Sequence, residues 1–89
     1  MPTKKTKKPI KVIHRKLGRE KALGQAWQDA RVIEIDERIT GKTYLDTVIH
    51  EVSHCQFPKL PEITINARST ELANILWDLG FRWVDLNEK

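Results

Sequence analysis

The sequence predicts an α+β fold of about three strands and two helices, and three observations predict it. Apolar and polar residues alternate with a period of two at residues 10–15 and again at 31–36, the pattern of half-buried strands. Leu45, Val48, Ile49 and Val52 follow at spacings of three, four and seven, one face of a helix. Beyond Pro58 and Pro61, the residues Ile65, Leu72, Leu76 and Leu79 give a second helical stripe.

In chain order, residues 1–8 carry four lysines and no large apolar side chain except Met1, so they read as a disordered basic tail ahead of a domain over 9–89. The first strand puts Ile10, Val12 and His14 on one face and Lys11, Ile13 and Arg15 on the other, and Gly18 begins the turn that ends it. A lone strand histidine such as His14 reads as a partly buried core residue. Residues 22–28 read as a second strand, with Gly24 marking a bulge or a close backbone approach and Trp27 a core anchor. In the third strand Ile33 and Ile35 point inward, and a connector over 37–42 leads to the first helix. Thr43 and Asp46 have the spacing of a capping box at its start. The prolines at 58 and 61 stop this helix and start the next, with Glu62 in the favourable first turn. Gly80 ends the second helix as a Schellman cap with Phe81 packing back, and 81–86 has the pattern of a short final strand.

Eighty-nine residues make one domain with a small core, for which a bound metal would be a natural support. The 39% apolar fraction contains no run long enough to span a membrane, and no apolar segment follows the charged N-terminus as in a signal peptide. A single cysteine, Cys55, excludes an intrachain disulfide and fits a cytoplasmic location; it reads as a small buried hydrophobe. The net charge of +4 is divided unevenly: residues 1–21 carry +8 and the remainder −4. Such a basic head suits nucleic acid or another polyanion, or simply keeps the chain soluble.

The first helix contains His50-Glu51-Val52-Ser53-His54, an HExxH sequence. Histidines four apart share a helical face and can bind one metal ion, while the intervening Glu51 can serve as general base. Thr47, His50, Glu51 and His54 lie away from the apolar stripe, so burying that stripe turns them toward a cleft. Catalytic zinc takes three protein ligands. No histidine follows His54 and no cysteine precedes the motif, so the third ligand is sought among carboxylates. An antiparallel hairpin turning near Pro58 sets residue 54 opposite 62 and 50 opposite 66. That favours Glu62 over Glu71 as third ligand, with Asn66 able to brace His50 and Asp46 also beside the ligands.

The segments 32–36 and 45–54, together with Phe57-Pro58, Glu62 and Leu76-Trp77-Asp78-Leu79-Gly80-Phe81-Arg82, resemble the small zincin-type metallopeptidase-like proteins of bacteriophages and bacteria, akin to minimal gluzincins and the SprT and IrrE groups. The resemblance covers about residues 9–83. It implies a small twisted antiparallel or mixed sheet packed on two helices, with an edge strand able to hold a peptide by strand addition. It also implies a Glu ligand on the second helix with an acidic or amide residue four further on, which Glu62 and Asn66 match. The expected activity is zinc-dependent hydrolysis of peptide bonds, with Tyr44 or Arg82 available as oxyanion or substrate contacts. The alternative is a zinc-stabilised module that docks on nucleic acid or a protein without catalysis. Deleting residues 1–8 is expected to preserve folding and zinc content while weakening any association with DNA or RNA and flattening its salt dependence. An unchanged affinity and salt slope, read by fluorescence anisotropy, would remove the tail from that role.

Overall fold

The computed structural model describes residues 8–18 and 23–84, so the expectation for residues 1–7 lies outside it. Strands β1 (Lys11–Arg15), β2 (Gly24–Trp27) and β3 (Val32–Asp36) form one mixed sheet in the order β1-β3-β2. β1 runs parallel to β3 with Val12 beside Ile33 and His14 beside Ile35, while β2 is antiparallel with Gly24 beside Ile35. Helices α1 (Gly41–Gln56) and α2 (Glu62–Leu79) complete the α+β fold. Among the described residues no helix is long and apolar enough to cross a membrane.

The alternation in β3 works as expected. Ile33 and Ile35 are fully buried and pack with Cys55, Val48 and Val52 of α1. Asp36, the last residue of β3, bonds a residue that follows β1 and a residue that precedes β2. Its carboxylate accepts the Leu17 N–H, and its own N–H donates to the Leu23 carbonyl. The Arg38 guanidinium bonds that carboxylate at 2.6 and 2.8 Å and, with its backbone N–H, holds the Asp36 pKa well below the usual carboxylate range. At the other end of the sheet Arg31 adopts φ 56, a left-handed conformation that disfavours a branched side chain. Its guanidinium bonds the Lys8 carbonyl at 2.6 Å and the Cys55 carbonyl at 3.3 Å, tying the start of β1 and the negative end of α1 to the β2–β3 turn.

α1 begins two residues before the expected capping box. Gly41 takes φ 65, which glycine adopts at little cost, and the Tyr44 N–H closes the first turn on the Thr40 carbonyl. Thr43 is therefore inside the helix, where its carbonyl accepts the Thr47 hydroxyl, and Asp46 accepts the Thr70 hydroxyl of α2. Pro61 stands at the N-cap of α2 rather than within it, with Glu62 opening the first turn. At the far end Gly80 takes φ 102, and the Phe81 N–H reaches the Leu76 carbonyl at 3.0 Å as in a Schellman cap, though Phe81 itself is exposed.

The second stripe is not the one predicted. Ile65, Ser69 and Ala73 are the buried residues of α2, whereas Leu72 and Leu79 are exposed. Small side chains at 69 and 73 allow close approach to α1, and α2 touches α1 but no strand. Three further expectations are corrected. Residues 81–84 form no strand, and 85 and 86 lie outside the described residues. Trp27 sits beside Val32 on the face of β2 away from α1 and is exposed. His14 is also exposed, donating to or accepting from the Tyr44 hydroxyl at 2.7 Å with the Trp83 ring beside it.

Gly24 marks the close approach suggested by the sequence. A Cβ there would lie 2.9 Å from Thr47 Cγ2, 3.0 Å from Glu51 Cγ and 3.1 Å from the Glu34 carbonyl. Gly24→Ala is expected to destabilise the domain by about 1–3 kcal/mol, the usual range for overpacking. Denaturant unfolding measures it, and wild-type stability in the variant would contradict the packing of β2 on α1.

Candidate metal centre

α1 buries its apolar face on the sheet, which turns Thr43, Thr47, His50 and His54, spaced at four, three and four, toward the flank where α2 begins. The His50 and His54 Nε2 atoms lie 3.2 Å apart with their rings inclined at 66°. The tight turn after Gln56 brings Glu62 to the same point. Its Oε2 is 3.0 Å from His50 Nε2 and its Oε1 is 2.8 Å from His54 Nε2. The three side chains offer ligand atoms within 4.8 Å of one another. Two nitrogens each about 2.0–2.1 Å from a tetrahedral zinc stand about 3.3 Å apart, close to the spacing of these imidazoles. Two neutral imidazoles and a carboxylate are also a donor set suited to zinc. The residues fit the ion.

Glu51 lies one position past His50, beside the converging side chains, and is buried against the backbone of Gly24. Burial pushes its carboxyl pKa up; the two imidazoles oppose this and Glu62 adds to it. Among the described residues its carboxylate has no hydrogen-bond partner, so both oxygens are available to a molecule in the cleft. That cleft, about 310 Å³, is lined by His50, Glu51 and Glu62 together with Asp46, Thr47 and Asn66. Leu23 and Thr43 complete its wall. Thr43 reads in the sequence as a cap, although its spacing of seven from His50 puts it on the same helical face; Leu23 had no signal beyond its place next to Gly24.

The structure brings together His50, His54 and Glu62, with Glu51 adjacent. Asn66 lines the cleft without hydrogen-bonding an imidazole, and Asp46 bonds Thr70 rather than a histidine. Glu71, exposed, is not in the cluster. Tyr44 and Arg82 lie elsewhere, on a separate cavity of about 310 Å³ with His14, Trp77 and Trp83. Tyr44 is engaged by His14, and the Arg82 guanidinium sits 3.4 Å over the Trp77 ring and bonds the Trp77 and Phe81 carbonyls. Neither is placed to stabilise charge in the cleft. No protein-family model, curated protein or solved structure matches the chain.

The geometry assigns Glu62 a contact to both histidines, so Glu62→Gln is expected to lower zinc affinity by more than the about 10–100-fold typical of losing a residue behind a ligand. Glu71→Gln is expected to change it little. Competition with a chromophoric chelator measures both, and the opposite ranking would reassign the ligand.

Proposed function

We propose that this domain is a zinc-dependent metallopeptidase of the zincin type, acting on peptide or protein substrates in the cytoplasm. The observation that carries the reading is the convergence of His50, His54 and Glu62 at one point, with the unpartnered Glu51 carboxylate beside it in an open cleft. The likeness of residues 45–54 and Glu62 to minimal gluzincins supports it. When bound, zinc supplies Lewis acidity at a scissile carbonyl and makes water acidic enough to attack near neutral pH.

The chain's own residues do the rest. His50, His54 and Glu62 hold the ion. Glu51 takes a proton from the attacking water and returns it to the leaving amine. Burial against Gly24 limits the rotamers open to Glu51 and keeps its carboxylate directed at the cleft. Among the described residues β2 is an edge strand of the sheet, and Leu23 just before it lines this cleft, so a peptide adding along that edge would pass near Glu51.

One observation favours a second reading, a zinc-stapled binding module without turnover. Peptidases use a donor for the oxyanion, and Tyr44 and Arg82, which have the chemistry for it, face another cavity. In that reading the ion would link Glu62 of α2 to the α1 histidines and so stabilise a helix that no strand supports.

Glu51→Gln separates the two. The variant is expected to bind zinc and melt like the wild type, while cleavage of a denatured-protein or peptide-library substrate falls by about 10²–10⁴-fold. His50→Ala is expected to lose both metal and stability. Equal cleavage by Glu51→Gln and wild type would refute the hydrolytic mechanism.

A further inference from the structure

α2 carries two apolar stripes, and α1 covers only one of them. Ile65, Ser69 and Ala73 face α1, whereas Leu72, Ile75 and Leu79 remain between 44% and 69% exposed. With Arg68 these exposed residues repeat at four, three and four, the spacing of a seam that pairs with another helix. At about 100° per residue the seam lies about 150° around α2 from Glu62, Asn66 and Thr70. A partner on it would leave the metal cleft open. Beside the seam, Ile49, Val52, Phe57, Leu60 and Leu72 line an apolar groove of about 430 Å³ between α1 and α2.

We infer that this face is an isologous dimer interface, in which α2 pairs antiparallel with α2 of a second copy of this chain. The charges select both occupant and direction. Arg68 and Asp78 flank the two ends of the seam, and among the described residues neither has an ion-pair partner. A two-fold axis between Leu72 and Ile75 sets Leu72 of each copy against Ile75 of the other. It also carries Arg68 of each copy to the Asp78–Leu79 end of its partner, making two equivalent ion pairs. Parallel pairing would set Arg68 against Arg68. The antiparallel arrangement further places Leu79, the most exposed of the three apolar seam residues, beside the groove, where its side chain fills space that α1 and α2 leave open. An anionic membrane is a poorer occupant, because Glu71 and Asp78 flank the stripe along with the single cation Arg68. An isologous contact closes on itself, so assembly stops at two chains.

Sedimentation equilibrium of the full chain over a concentration series tests this. The mass is expected to rise from one chain to two and stop there. Leu79→Glu and Ile75→Glu, both at exposed positions, are expected to weaken association by about tenfold or more with the helical circular dichroism unchanged. Arg68→Glu is expected to weaken it as well, and Arg68→Glu combined with Asp78→Arg to restore it. A one-chain mass throughout, growth beyond two chains, a dimer indifferent to Leu79→Glu, or a monomer that instead partitions onto anionic vesicles would each overturn the interface.

Discussion

The Glu62 carboxylate between the His50 and His54 imidazoles is the contact on which the rest of the structure depends. It is where the first residue of the second helix meets a side of α1 that the sheet leaves free. Without it, α2 would rest on α1 through the buried Ile65, Ser69 and Ala73 and the Thr70–Asp46 hydrogen bond, since it touches no strand. Because Glu62 is the first residue of α2 and His54 lies one residue before the buried Cys55, both ends of the contact sit on ordered backbone. The same geometry that joins the helices therefore gathers three ligand atoms.

The sheet serves the site by fixing α1 in rotation. Ile33 and Ile35 seat Val48, Val52 and Cys55, and this determines where His50, Glu51 and His54 face. Gly24 completes the arrangement by letting β2 come close enough to bury Glu51 while its oxygens stay reachable from the cleft. Two polar clamps stand at opposite ends of the sheet. Asp36 joins Leu17 and Leu23 to the end of β3, and Arg31 secures the start of β1 to the end of α1. With few fully buried side chains among the described residues, these contacts carry a share of the fold's specificity that a larger core would otherwise supply.

The cluster of His50, His54 and Glu62 was legible because its information is local. HExxH spacing fixes two candidate ligands on one helix, and a turn with two prolines leaves few registers for the next helix, so hairpin geometry pointed to Glu62. The inward face of β3 was legible for the same reason, as was the close approach at Gly24. What depends on distant packing was not. Leu72 and Leu79 have the spacing of core residues, but close helix contact selects the smaller Ser69 and Ala73. Thr43 and Asp46 spell a capping box, yet Gly41 lets the helix begin earlier in a conformation the spacing does not encode. Tyr44 and Arg82 have suitable chemistry for the cleft, and their positions are decided by His14 and Trp77, residues remote from the motif. The parallel pairing of β1 with β3 is likewise a matter of distant partners, Lys11 beside Val32 through Arg15 beside Asp36, and not of either strand's own pattern.

The most direct test of the account is X-ray absorption spectroscopy of the purified protein loaded with zinc. It predicts one zinc per chain in a shell of two imidazole nitrogens and oxygen donors, without sulfur. A sulfur scatterer, which only Cys55 or Met1 could supply, or an imidazole count other than two would contradict it.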